Sequence, residues 1–447
     1  MSLAAAPWAP DSWKSRPCLQ QPDYADTRAL RTVLVQLARL PPLVTSWEVE
    51  KLRQRLALAQ QGRAFVLQGG DCAEQFADCR DNIITNRLKV LLQMSLVLTH
   101  GRREPVVRIG RYAGQYAKPR SSDTETRDGI TLPSYRGDIV NGPEFSAAAR
   151  EPDPERLLRG YACSALTLNF VRGLVDGGFA DLHHTEYWNL AWAGSSPHAA
   201  EYERRVRDVA QALTFMEALA GGVPQYRRMD FYTAHEALLL AYEQAQTRRV
   251  PRRDGWYDLS THMPWIGART SDPDGAHVEF CRGLRNPIGV KVGPDVGPER
   301  LLALCERLDP ENEPGRLTLI HRMGAAKVGE RLPPLVAALR DAHRHVLWLC
   351  DPMHGNTHST ANGHKTRDFD AICSELTQAF DIHRDAGGRL GGVHLELTGE
   401  DVTECTGGAA ELTEEDLDRA FRSHVDPRLN YAQSLELALR IAELGPR

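Results

Sequence analysis

The 447-residue sequence has no apolar run long enough to span a bilayer, so we expect no transmembrane helix. It also has no basic excess, and its formal net charge of −5 argues against nucleic acid or an anionic membrane as a partner. The N-terminus lacks a basic segment followed by an apolar core, which predicts no secretory signal. Nine scattered cysteines without metal-finger spacing favour reduced thiols in a cytoplasmic protein over a disulfide framework.

Short apolar runs that end in polar turns recur along the chain and alternate with amphipathic helical patterns. The clearest is VLWLC at 346–350, which is followed by the polar turn DPMHGNT. A continuous apolar run suits a strand buried on both faces, as in a parallel sheet. The predicted strands lie at 64–67, 106–109, 180–184, 261–265, 288–292, 317–320, 346–350 and 392–397. Eight such units predict an α/β fold, a (β/α)8 TIM barrel whose active site lies where the strands end.

Two regions exceed a minimal barrel. Residues 1–60 are predicted to form an N-terminal arm with a helix at 45–61, and residues 61–447 the catalytic barrel. A helical insertion is predicted at about 185–258, for core or subunit packing, with regulation as the alternative. The polar stretch from 114 to about 145 is too long for an ordinary loop, which indicates a functional or a disordered segment.

If the barrel is correct, polar side chains at the strand ends converge in two sets. The first contains a thiol, an imidazole and two carboxylates: Cys72, His354, Glu396 and Asp426. Such a mixed sulfur, nitrogen and oxygen set suits a divalent transition metal. Its members are dispersed along the chain, so a buried thiol with solvated carboxylates is the alternative.

The second set is cationic and consists of Arg111, Lys118, Arg120, Arg269, Lys291 and Arg322. Lys291 lies inside an apolar strand, where an unpaired charge is costly. Cations at a barrel mouth predict a substrate rich in phosphate and carboxylate groups, which arginine binds in a bidentate manner. Surface salt bridges could explain any one of the arginines, but they explain Lys291 poorly.

These residues lie in strings that resemble the type II (plant-like) 3-deoxy-D-arabino-heptulosonate 7-phosphate (DAHP) synthases. The matching strings are LQGGDCAE at 67–74, AGQYAKPRS at 113–121, RLTL at 316–319, DPMHGNTH at 351–358, TGE at 398–400, VTEC at 402–405, DPRLN at 426–430 and QSLEL at 433–437. The resemblance covers nearly the whole chain from about residue 20. It implies a (β/α)8 enzyme that condenses phosphoenolpyruvate with erythrose 4-phosphate, the first step of the shikimate pathway for aromatic amino acids.

The resemblance also implies roles for the two sets. Cys72, His354, Glu396 and Asp426 would bind the divalent metal, with Mn²⁺ or Co²⁺ ahead of Zn²⁺, Cd²⁺ or Fe²⁺. Arg111, Arg269, Lys291 and Arg322 would hold phosphoenolpyruvate. Lys118, Arg120 and Ser121 would face erythrose 4-phosphate. Catalysis would involve Cys72 and His354 as metal ligands and Lys118 as proton donor to the new alkoxide, with a metal-bound water as the alternative donor.

One position departs from the family pattern. A glutamate commonly precedes the arginine of the fourth strand end, and here that place is Ala268. The family further implies a homodimer or homotetramer, with an aromatic feedback effector or a chorismate mutase as a further partner. Two alternatives remain: a relative that makes an amino analogue of DAHP in secondary metabolism, and a non-catalytic barrel that serves as a regulatory partner.

Overall fold

The protein is described from a computed structural model, which covers residues 8–179, 200–204, 206–208 and 230–445. Eight parallel strands close into a barrel, so the predicted (β/α)8 architecture is confirmed. The strands are β1 (Phe65–Gly70), β2 (Val106–Arg111), β3 (Phe231–Glu236), β4 (Met263–Ile266), β5 (Ile288–Val292), β6 (Leu317–His321), β7 (Leu347–Cys350) and β8 (Gly392–Glu396). Each strand pairs with its neighbours in chain order, and β1 pairs with β8 to close the ring.

Helices surround the barrel. They are α1 (Thr27–Arg39), α2 (Ser46–Gln60), α3 (Asp81–Arg102), α4 (Ala147–Arg150), α5 (Glu155–Asp176), α6 (Leu240–Gln246), α7 (Ala276–Arg282), α8 (Pro298–Leu308), α9 (Val328–Asp341), α10 (Phe369–Asp385) and α11 (Tyr431–Glu443). Their apolar faces and the outer faces of the strands form a continuous buried layer. None of the described helices combines the length and apolar character needed to cross a membrane.

Helix α2 covers the amino-terminal end of the barrel. The Thr45 side chain caps the helix by accepting a hydrogen bond from the Glu48 main-chain N–H. The Glu48 carboxylate accepts one from the Thr45 main-chain N–H, which completes a capping box. Leu52 and Leu56 are fully buried with side chains from the barrel interior. The helix predicted at 45–61 is therefore present, and it leaves the carboxyl end of the barrel open for the site.

The third strand differs from its predicted place. It is Phe231–Glu236, whereas the predicted strand at 180–184 lies outside the described residues, as does much of the predicted insertion at 185–258. Thr233 and His235 interrupt the apolar pattern of the real strand. Both are buried with polar partners, because Thr233 contacts His262 and His235 contacts Glu243. Satisfied polar groups can occupy a central strand, and they hid it from a search for apolar runs.

Within the described residues, the chain adds three two-stranded antiparallel ribbons to the barrel. They pair Thr124–Arg127 with Ile130–Pro133, Thr247–Arg248 with Tyr257–Asp258, and Thr357–Ser359 with Lys365–Arg367. The first lies within the long polar stretch that follows β2, and the third follows β7. Both therefore belong to connections on the carboxyl side of the barrel, and Thr357, Ser359 and Lys365 of the third ribbon line the cavity described below.

Candidate active site

A cavity opens at the carboxyl end of the barrel, and seven basic side chains line it. They are Arg111, Lys118, Arg120, Arg269, Lys291, Arg322 and Lys365. Six of them are the predicted cationic set, and Ser121 also lines the cavity. Lys365 was missed, because a lysine in a hairpin cannot be told from a surface lysine by sequence. The structure thus brings the whole predicted cationic set to one place.

The predicted metal-binding side chains lie at the side of this cavity. Ligand atoms of Cys72, Glu396 and Asp426 fall within 4.8 Å of one another. His354 joins them through Nε2, which lies 3.1 Å from Glu396 Oε1. Cys72 and Glu396 are buried, whereas His354 and Asp426 are partly exposed to the cavity. A thiol, an imidazole and two carboxylates are donors that divalent transition metals accept. The residues present therefore fit such an ion.

Lys118 places its ammonium group among these donors. Its Nζ lies 2.7 Å from Cys72 Sγ, 2.8 Å from Asp426 Oδ2 and 3.6 Å from Glu396 Oε1. Burial opposes the charge, but Asp426, Cys72 and Glu396 outweigh it and raise the pKa of Lys118 above its usual value. The donor group therefore accommodates a cation. The sequence analysis had assigned Lys118 to erythrose 4-phosphate and to the protonation of the new alkoxide, and had not placed its ammonium group among the metal-binding donors.

The protonation of the donors follows from the same contacts. Burial, and then the charge of Glu396, raise the pKa of the Cys72 thiol to about 12. Burial would also raise the pKa of Glu396, but His354, Lys118 and Arg367 hold it well below its usual range. The Arg367 Nη2 atom forms an ion pair with Glu396 Oε2 at 2.7 Å, at an angle too poor for a hydrogen bond. The carboxylate is thus ionised and oriented before any ligand binds.

Glycine at the end of β1 brings two of these groups together. Gly70 pairs with Arg111 of β2 on one side and with Glu396 of β8 on the other. Its φ is +145°, and a Cβ there would come 2.9 Å from the Arg111 carbonyl oxygen. Arg111 Nη2 then donates to Glu396 Oε1 over 2.9 Å. The close approach needs a residue without a side chain.

Lys291 is both paired and directed into the cavity. It is buried, and its charge is not unpaired, because it forms an ion pair with Asp351. Burial lowers the pKa of Lys291 to about 7, and Arg111 adds to the effect while Asp351 opposes it. Asp351 also accepts a hydrogen bond from His354 Nδ1 at 2.7 Å. The carboxylate therefore links the cationic set to the metal-binding set.

A second layer holds these loops in place. Arg428 donates to both oxygens of Glu404 and to Asp71 Oδ1, at 2.6 to 3.0 Å. Glu375 of α10 accepts from the Met323 main chain and the Asn356 side chain, both at 2.8 Å, and so ties the loop after β6 to the loop after β7. The strings that match the family contain Asp71, Asn356, Glu404 and Arg428. Nothing in those strings indicated a supporting role, since the partners are distant along the chain.

A further group of potential ligands lies behind this layer. Ligand atoms of His321, Cys350 and Glu375 also fall within 4.8 Å of one another, and all three residues are buried. The Glu375 oxygens already accept hydrogen bonds, and none of the three residues lines the cavity. The Cys72 group is therefore the one that opens toward the substrate space.

Ala268 stands where the family commonly has a glutamate, and its surroundings in the cavity show what replaces that side chain. Ala268 lines the cavity and brings no carboxylate to it. A carboxylate nevertheless lies beside it: that of Glu236, from the end of β3, packs over the neighbouring Gly267. The sequence had not singled out Glu236, because its strand was not recognised.

Comparisons with known proteins agree with this architecture. Residues 8–442 match the model of the Class-II DAHP synthetase family. A phospho-2-dehydro-3-deoxyheptonate aldolase of Streptomyces coelicolor is 51% identical over 444 residues, which are 99% of each chain. A protein of the same name from Neurospora crassa is 47% identical over 455 residues, which are 98% of this chain and 94% of that one. The similarity therefore extends through both the barrel and the described N-terminal helices.

Proposed function

Because the chain belongs to the Class-II DAHP synthetase family, it catalyses the DAHP synthase reaction, and we propose that the cavity at the barrel mouth is its active site. The reaction joins phosphoenolpyruvate to erythrose 4-phosphate, takes up water, and gives DAHP and phosphate. The observation that carries the proposal is the set of seven basic side chains beside the thiol, imidazole and carboxylates. Two phosphorylated substrates repel each other, and these cations would hold them side by side.

We assign phosphoenolpyruvate to Arg111, Arg269, Lys291 and Arg322. Arg269 and Arg322 form no ion pair with a carboxylate among the described residues, and both line the cavity. In the part of the chain that the structure describes, the Arg322 guanidinium donates only to the His354 carbonyl, at 3.2 Å. Two guanidinium groups with this much unused hydrogen-bonding capacity suit the phosphate group, which arginine binds in a bidentate manner.

Erythrose 4-phosphate is assigned to Lys118, Arg120 and Ser121. All three belong to the segment that follows β2 and line the cavity beside the metal-binding group. Lys118 is the candidate proton donor to the alkoxide that forms from the aldehyde. Its ammonium group already lies within hydrogen-bonding distance of Cys72 and Asp426, so it is close to the proposed reacting centre.

The metal-binding side chains would be Cys72, His354, Glu396 and Asp426. We propose Mn²⁺ or Co²⁺ as the ion, with Zn²⁺, Cd²⁺ or Fe²⁺ as alternatives. When bound, a divalent ion supplies Lewis-acid polarisation of a carbonyl oxygen, here that of the aldehyde. His354 is oriented for this role by Asp351, which accepts its Nδ1 hydrogen, so that Nε2 faces Glu396.

The assembly and its regulation remain part of the proposal. A homodimer or homotetramer is supported by large apolar side chains on the outer helices: Val35 on α1 is 53% exposed, and Leu166 on α5 is 62% exposed. Regulation by an aromatic effector would be tested by its effect on turnover. The oligomeric state would be tested by measuring the mass in solution by light scattering.

The test measures loss of phosphoenolpyruvate with erythrose 4-phosphate, before and after chelation, and identifies the product by mass. We expect turnover that a chelator abolishes and a divalent metal restores. Full activity in a preparation shown to be metal-free would refute the metal assignment. Absence of turnover with each candidate metal would refute the proposed site. The amino analogue and the regulatory barrel receive no support from the comparisons.

A further inference from the structure

Glu375 of α10 is a buried carboxylate that the proposed chemistry does not use. Its side chain is shielded from solvent and forms no ion pair among the described residues. The neighbouring His321 and Cys350 supply no charge, because burial lowers the pKa of His321 and raises that of Cys350. Burial also raises the pKa of Glu375 to about 7, and the charge of Asp351 adds to that rise. A buried carboxylate without a cation is costly, so its presence calls for a role that a neutral side chain could not fill.

The two oxygens of Glu375 hold two different loops. Oε1 accepts a hydrogen bond from the Met323 main-chain N–H, and Oε2 accepts one from Asn356 Nδ2, both at 2.8 Å. Met323 directly follows Arg322 in the loop after β6, and Asn356 lies two positions beyond His354 in the loop after β7. An amide at this place would offer one oxygen and one NH2 group, so one of the two donors would face another donor. The arrangement therefore requires a carboxylate.

The two loops also contact each other directly. Asn356 Oδ1 accepts a hydrogen bond from the Ala325 main-chain N–H at 2.9 Å. Gly324, at φ +85°, lies so close to the other loop that a Cβ on it would come 2.7 Å from the Gly355 carbonyl oxygen. A shift of one loop is therefore passed to the other, and Glu375 fixes the joined pair to α10.

We propose that Glu375 is a positioning residue that sets Arg322 and His354 at the separation the reaction needs, an inference that rests on the proposed function. Arg322 is assigned to the phosphate of phosphoenolpyruvate and His354 to the metal. The Arg322 guanidinium also donates to the His354 carbonyl at 3.2 Å, so the two residues move together. Glu375 does not line the cavity and acts only through these loops. A displacement of about 1 Å between reacting groups can cost ~10²-fold in rate.

The test replaces Glu375 by glutamine and measures two affinities besides kcat. Calorimetric titration gives the affinity for phosphoenolpyruvate at saturating Mn²⁺, and the affinity for Mn²⁺ without phosphoenolpyruvate. We expect each to fall about tenfold, because one contact of Glu375 is lost and both loops shift. At saturating metal and substrates, kcat should fall by about 10²-fold.

A double-mutant cycle separates positioning from a general loss of packing. In an Arg322→Met background, Glu375→Gln should weaken phosphoenolpyruvate binding by less than about twofold further, because the side chain that Glu375 positions is gone. In an Arg269→Met background the same change should still cost about tenfold. Arg269 follows β4, and no hydrogen bond joins its loop to Glu375 within the described part of the chain. A general loss of packing would cost the same in both backgrounds.

Glu243→Gln is the matched control. Glu243 is also a buried carboxylate with two hydrogen-bonded partners, His235 and Ser260, but it lies outside the cavity and outside both loops. Its replacement should leave the affinity for Mn²⁺ within about threefold of wild type. Any effect on phosphoenolpyruvate binding should be equal in the Arg322→Met and Arg269→Met backgrounds.

Three results would overturn the role of Glu375: both affinities within about twofold of wild type, a change in only one of them, or equal costs in the two arginine backgrounds. If the glutamine variant does not fold, Glu375→Asp is measured instead. Its shorter carboxylate cannot reach both loops, so both affinities should fall at least about threefold, and unchanged affinities would refute the proposal. A wild type that binds both ligands without turnover would refute the proposed function, while the affinities would still test Glu375.

Discussion

Replacing Lys291 by methionine removes one buried ammonium group from the cavity and keeps much of the side-chain volume. In the absence of ligand the pKa of Lys291 falls from 10.5 to about 7, first through burial and then through Arg111, against the opposing charge of Asp351. One pKa unit corresponds to about 1.4 kcal/mol, so the empty cavity disfavours this ammonium by roughly 5 kcal/mol. The ion pair with Asp351 therefore offsets only part of the free-energy cost of burying the Lys291 ammonium group.

The sign of the pH dependence follows from this shift. Below pH 7 the folded and unfolded chains both carry the proton, and the penalty on the native state is complete. Between about pH 7 and the unfolded value near 10.5 the unfolded chain binds more protons, so this group makes stability rise with pH. Binding of the anionic phosphoenolpyruvate favours the ammonium form. At pH 8 the free enzyme should therefore take up a proton when it binds phosphoenolpyruvate.

Calorimetric titration at pH 8 in buffers of different ionisation enthalpy measures this uptake. Wild type should take up the proton, and Lys291→Met should not. The variant should also bind phosphoenolpyruvate at least ~10²-fold more weakly, a loss of about 3 kcal/mol. Lys365→Met is the matched control. It removes a half-exposed cation from the rim of the same cavity and should leave the uptake intact.

The stability of the ligand-free variant separates this account from a purely structural one. After the change, Asp351 keeps three hydrogen bonds, from His354 Nδ1 and from the main-chain N–H groups of Met353 and His354. At pH 7 and below, the melting temperature of Lys291→Met without ligand should equal or exceed that of wild type. A clear fall, with stabilisation by phosphoenolpyruvate preserved, would refute the reasoning and leave Lys291 as a structural partner of Asp351.

Three further changes have expected outcomes. Cys72→Ser should weaken binding of Cd²⁺ and Zn²⁺ more than that of Mn²⁺ in metal competition titrations, because it exchanges a soft donor for a hard one; an equal loss for all three ions would contradict the thiolate assignment. Gly70→Ala should lower the free energy of unfolding by ~2–4 kcal/mol in denaturant titrations, since the new Cβ meets the Arg111 carbonyl at φ +145°; unchanged stability would show that the strands can separate. Arg428→Lys should cost a similar ~2–4 kcal/mol, because lysine cannot replace the bidentate contact with Glu404, and a loss below about 0.5 kcal/mol would contradict that reasoning.

Seven of the eight strands were recognisable because both of their faces are buried by apolar neighbours. β7 shows this most clearly: every residue of Leu347–Cys350 is buried, and the apolar run is unbroken. β3 escaped because His235 meets Glu243 and Thr233 meets His262 inside the protein. A sequence shows that a residue is polar but not that a distant residue satisfies it. The same error concealed Glu236, which ends that strand.

The cationic set could be predicted because buried or clustered charge near strand ends is rare without a ligand. Which of these cations pair with protein carboxylates, and which form no ion pair among the described residues, could not be predicted. Arg111 and Lys118 are already paired with the carboxylates of the metal-binding group, through Glu396 and Asp426. Those pairings join residues more than 280 positions apart, and only closure of the barrel between β1 and β8 brings them together.

This division indicates how the two substrates would be oriented. Arg269 and Arg322 form no ion pair among the described residues and lie toward the β4 and β6 side of the mouth. The phosphate of phosphoenolpyruvate should therefore settle there, which directs its carbon atoms back toward Lys118 and the metal-binding group.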